Sequence, residues 1–96
     1  YARQWICKAP FGDEVVVKLA FKGEDGFVTM LDQEYEGQYD TDGLTRIWYF
    51  GASEDADYYR YSIELNARGI AHLFDFSDAE KDGSIRSQET LRCAKN

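Results

Sequence analysis

Two stretches of this chain alternate apolar and polar side chains so regularly that they confine it to β structure. In "YYRYSIELN" (58–66), Tyr59, Tyr61, Ile63 and Leu65 alternate with Tyr58, Arg60, Ser62 and Glu64. In "EVVVKLAFK" (14–22), Val15, Val17, Leu19 and Phe21 share one face; Glu14, Lys18 and Lys22 share the other with Val16 and Ala20. A period of two places successive side chains on opposite faces of a strand, one of them buried. Further strands are expected over 3–9, 26–32, 44–50, 69–76 and 84–93, with a short piece near Tyr35. "KGEDG" (22–26), "DTDG" (40–43) and "NARG" (66–69) separate them, rich in residues that accept turn dihedrals at little cost. "GASEDAD" (51–57) reads as a longer polar loop, and "DAEKDGSIRSQETL" (78–91) has room for a turn or two of helix. Seven or eight short strands at even spacing predict an all-β fold: a small antiparallel up-and-down barrel or curved meander sheet. The 96 residues make one domain, 1–96.

A domain this short buries only about 60–65% of its unfolded surface, so a covalent staple matters. Cys7 and Cys93 stand near the two ends of the chain. No close pair such as C-x-x-C suggests a metal site. If the first and last strands are neighbours, a Cys7–Cys93 disulfide pins the closure of the sheet. In the chain-entropy model such a bond contributes roughly 4–5 kcal/mol. Disulfides belong to oxidising compartments, so a periplasmic or secreted protein is expected. The chain opens on Tyr1 without an initiator Met, as expected of a mature form that has lost a signal peptide. No apolar run approaches the roughly 18 residues of a membrane span.

Eighteen acidic against 11 basic residues give a net charge of −7. Nucleic acid is a poor partner for such a chain, because binding it needs a surplus of Lys and Arg. A basic protein or a cation suits the charge better. "DAEKDGSIRSQE" (78–89) has the layout of a calcium-binding EF-hand loop: Asp78, Glu80, Asp82, Ser84 and Glu89 at ligand positions, with Gly83 at the bend. Its flanks read as strands rather than helices, so the bland alternative is an acidic connection into the last strand, with Ile85 and Glu89 at its start and middle. Calcium is the one cofactor the sequence raises. His72 is the sole histidine and reads as a hydrogen-bonded structural residue. No nucleophile elbow, Gly-rich phosphate loop or Cys–His signature is present, so no enzyme is expected. The rings of Trp48, Tyr49, Phe50, Tyr58, Tyr59 and Tyr61 belong mainly to the core; any that face outward suit a sugar or a protein interface. A small-ligand or sugar-binding barrel is therefore an alternative function.

Trp5-Ile6-Cys7, then Val15-Val16-Val17-Lys18, then Gly37 with Thr41-Asp42-Gly43, resemble motifs of the periplasmic or membrane-bound inhibitors of c-type lysozyme. That family has an aromatic residue two places before the first Cys, a V-x-V-K-like second strand and an S-G-x-x-Y loop. Here Glu36 stands in place of the Ser, Asp40 falls at the Tyr position with Tyr39 one step away, and the last Cys comes later, after an additional hairpin. The resemblance implies a small exported eight-stranded barrel with a terminal disulfide. It also implies a loop over 34–43 that enters the active-site cleft of a basic lysozyme. By that resemblance Glu36, Gly37, Tyr39, Asp40 and Asp42 are the partner-binding residues, and Glu34 adds to the loop's negative charge.

Overall fold

The structure is a computed structural model and describes residues 3–9, 16–52, 58–76 and 86–96, with the backbone alone at 86–88. Eight strands follow one another: β1 (Gln4–Lys8), β2 (Val16–Lys22), β3 (Asp25–Met30), β4 (Gln33–Asp42), β5 (Thr45–Ala52), β6 (Tyr59–Leu65), β7 (Ile70–Asp75) and β8 (Arg86–Lys95). Each pairs antiparallel with the next, and β8 returns to β1, so the sheet is a closed barrel in sequence order. Closure leaves no strand edge unpaired. Cys7 lies directly opposite Cys93 in the β1–β8 ladder, and the two form a disulfide across a sequence separation of 86. The last strand begins at Arg86, so residues 86–91 are strand and not helix; residues 78–85 lie outside those described. Among the described residues no helix is long and apolar enough to cross a membrane.

An eight-stranded barrel is just wide enough for its own side chains to fill it. The alternation seen in β2 and β6 points Val17, Leu19 and Phe21, and Tyr61, Ile63 and Leu65, into that interior. At one end Phe21 stacks on Tyr39 with ring centroids 4.0 Å apart, and Trp5 lies 6.1 Å beyond Phe21. Trp48 wedges between them, 5.5 Å from Trp5 and 5.1 Å from Tyr39. Its buried indole N–H donates to the Ala20 carbonyl at 2.8 Å, so the ring brings no orphan donor into the core. Phe50, Tyr35 and Tyr61 form a second cluster. Aromatic contacts of this kind contribute about 0.5–1.5 kcal/mol each beyond the area they bury.

Two glycines let this part of the sheet pack closely, one against Trp48 and one against the β5 backbone. Gly26 and Gly37 face each other across β3 and β4. A Cβ on Gly26 would sit 2.9 Å from Trp48 Cδ1, and one on Gly37 would collide with the Tyr49 carbonyl oxygen. The close approach here is possible because neither position carries a side chain. The expected strand 26–32 stops at Met30: Leu31 and Asp32 form the β3–β4 turn, both with positive φ (50° and 62°). Leu31 is not a turn residue by chemistry, and Asp32 stands without a neighbouring Gly or Asn, which is why alternation ran through both.

Candidate functional site

The segment expected to be a partner-binding loop is a strand. Residues 33–42 make up β4, paired along its length with β3 and β5, and the turn comes only at Gly43–Leu44. A strand divides neighbours in sequence between two faces. Glu34, Glu36, Gln38, Asp40 and Asp42 therefore share the outer face and are all exposed. At about 3.4 Å per residue the five positions span about 27 Å. Gly37 and Tyr39 belong to the other face. Tyr39 is buried in the aromatic core, and its hydroxyl accepts a 2.6 Å hydrogen bond from Arg46. Of the five residues expected to touch a partner, Glu36, Asp40 and Asp42 come together; Gly37 and Tyr39 support the fold behind them.

The acidic strip has apolar company. Across the ladders Phe27 lies opposite Glu36, Tyr49 opposite Gln38 and Ile47 opposite Asp40. Asp25 on β3 also faces Gln38, and Glu64 lies beyond Ile47 on β6. The Asp40 carboxylate accepts from the Thr41 amide at 2.8 Å, which fixes its direction. Beside the strip is an aromatic hollow of about 430 Å³ lined by Gln38, Tyr49, Tyr58, Tyr59 and Phe76. The Tyr49 and Tyr59 rings lie 6.4 Å apart. Gln38 belongs to both features, with Glu36 and Asp40 the next outward positions on either side of it along β4. Aromatic faces beside carboxylates receive ammonium and guanidinium groups well: the rings attract the cation by its charge and its stem by contact.

The aromatic residues of the sequence thus divide. Trp48, Phe50 and Tyr61 fill the interior, whereas Tyr49, Tyr58 and Tyr59 line the surface hollow. Tyr59 departs from the inward set that alternation gave it. The hollow's signal in the sequence was weak, because Tyr49 sits inside an unbroken apolar run and Phe76 lies far from it in the chain. His72 faces outward on β7, its Nδ1 3.2 Å from the Thr90 hydroxyl, as a hydrogen-bonded structural residue should. Of the expected calcium ligands, Asp78, Glu80, Asp82 and Ser84 lie outside the described residues. Glu89 is an exposed β8 residue opposite Leu73. Among the described residues no group of three His, Cys, Asp or Glu side chains is placed to hold a metal ion. No family model, curated protein or solved structure matches the chain.

Proposed function

We propose that this protein is an exported, non-enzymatic binding protein that docks a basic protein on the outer face of β4. In its sharpest form the partner is a basic cell-wall hydrolase, a c-type lysozyme, which it inhibits. One observation carries the reading: four exposed carboxylates lie along one strand face, beside an aromatic hollow. The disulfide suits an oxidising compartment. The resemblance in β1, β2 and the 36–43 segment supplies the partner class.

Magnitudes divide the labour between the two features. Exposed ion pairs contribute about 0.2–1 kcal/mol each, so four carboxylates give at most about 4 kcal/mol. A micromolar complex needs about 8 kcal/mol. The strip therefore steers the encounter and sets its rate. The hollow holds the partner, with Tyr49 and Tyr59 as anchors of the kind that dominate interface energetics. A ligand inside the barrel is the less suitable alternative, since Trp48, Phe50, Leu19, Ile63, Leu91, Val17 and Val28 fill the interior.

The test is lysis of cell-wall substrate by a c-type lysozyme, with this protein in molar excess, alongside binding kinetics at several salt concentrations. Lysis should slow. Glu36→Gln with Asp40→Asn should lower the association rate about tenfold at low salt, while Tyr49→Ala should act on dissociation. Undiminished lysis together with no measurable binding rejects the inhibitor reading.

A further inference from the structure

At the end of the barrel that carries the β4–β5 and β6–β7 turns, basic side chains gather around one opening. A cleft of about 450 Å³ opens there, lined by Trp5, Leu44, Arg46, Leu65, Asn66, Ala67, Arg68, Gly69, Cys93 and Lys95. Among the described residues three basic side chains line it and no acidic one does. On a surface of net charge −7 that grouping runs against composition.

Arg46 and Lys95 reach the cleft from inward-facing strand positions. Arg46 is registered with Leu65, and Lys95 with Trp5, both of them buried core residues. The Arg46 guanidinium is half-buried, 4.9 Å over the Trp5 ring and 5.8 Å from Phe21, and it donates to the Tyr39 hydroxyl. These partners orient it but carry no negative charge. A partly buried cation is stabilised most by an anion, and among the described residues no carboxylate lining the cleft supplies one. Arg68 is presented on a stiff turn. Asn66 Oδ1 accepts from the amides of Arg68 and Ile70 at 2.9 and 3.1 Å, and the Cys93 amide donates to the Gly69 carbonyl at 2.7 Å. Leu44 is 82% exposed at the lip, a side chain that folding leaves unused.

We propose that this cleft binds a small organic monocarboxylate with a short apolar body. The carboxylate meets Arg46, Arg68 and Lys95, and the body lies against Trp5, Leu44 and Leu65. The volume falls within the roughly 300–1,000 Å³ of small-molecule sites. The lining of the cleft shares no residue with the β4 strip, and the site does not depend on a protein partner.

Octanoate and its neutral counterpart octanol are titrated into the intact, oxidised, ¹⁵N-labelled protein. The readout is the two indole N–H resonances. Trp5 lines the cleft, whereas the Trp48 N–H is locked to Ala20 and reports on the core. Octanoate should shift the Trp5 resonance and leave Trp48 nearly still, with octanol at least about tenfold weaker. Added salt should weaken octanoate and not octanol. Arg68→Gln with Lys95→Gln, both exposed and outside the core, should weaken octanoate about tenfold. Glu36→Gln with Asp40→Asn should leave it no weaker. The proposal is overturned by equal affinity for octanoate and octanol, by indifference to the Arg68 and Lys95 changes, or by no Trp5 shift at about 10 mM octanoate.

Discussion

Reduction of Cys7–Cys93 offers the most quantitative test of the closed barrel. The bond joins residues separated by 86 positions. In the chain-entropy model a loop that long removes about 15 cal/mol/K from the unfolded chain, or about 4.6 kcal/mol at 25 °C. A domain of this size has a total stability of roughly 5–15 kcal/mol, so the bond supplies a large share of it. It also acts at the barrel's shortest ladder: among the described residues β1 and β8 share four registered pairs, whereas β3 and β4 share six. With a urea slope of about 1–3 kcal/mol/M, reduction should lower the unfolding midpoint by about 1.5–4.6 M. Urea unfolding followed by tryptophan fluorescence, oxidised against fully reduced, measures this. Native-state hydrogen exchange adds a local readout, since β1 and β8 amides should lose protection before those of β4 and β5. Midpoints that agree within about 0.5 M would refute the reasoning: the seam would then hold by packing alone.

Two further changes test the facing of β4 and its turn. Gly37→Ala places a methyl group on the Tyr49 carbonyl and 3.1 Å from Phe50 Cα. The β5 backbone must move, at a cost of about 3 kcal/mol, whereas the neighbouring Glu36→Gln should stay within about 0.5 kcal/mol. Urea midpoints of the two variants separate the inward from the outward position, and equal values would contradict the register. Leu31→Asn relieves a left-handed conformation at an exposed site and should stabilise by about 1 kcal/mol, seen as a melting temperature about 4–8 °C higher. No gain in a thermal melt would mean that Leu31 does not hold positive φ in solution.

The strands were legible wherever side chains declare their face, and β4 shows what happens when one does not. Its inward set is Tyr35, Gly37 and Tyr39, and its outward set is Glu34, Glu36, Gln38, Asp40 and Asp42. The period of two is intact. Glycine hides it, because a residue without a side chain contributes nothing to an apolar pattern even when its place is in the core. "DTDG" (40–43) adds turn chemistry at the end of this strand, and the loop over 34–43 is implied by the family resemblance, not by the residues' own pattern. Leu31–Asp32 is the converse case: alternation carries on through residues whose backbone has already turned. The cysteines made closure one of two arrangements open to the meander, a barrel or a curved sheet, and the β1–β8 ladder decides for the barrel. The hollow and the cleft were not. Both gather residues from distant strands, and register, which composition does not contain, decides which of them meet.

The same alternation explains how one small domain separates its charges. Glutamates and aspartates occupy the outward positions of β4, where water solvates them at little cost. Arg46 and Lys95 occupy inward positions near a barrel end, where long stems lie along apolar walls and the charged groups reach the opening. Net charge therefore describes the outer face of β4 and misdescribes the mouth. A basic protein on the strip and a carboxylate in the cleft would not compete, and each would weaken with salt. Salt dependence alone cannot tell one site from the other. Reversing charge at Glu36 or at Lys95 can, because each change should move one equilibrium and leave the other nearly where it was.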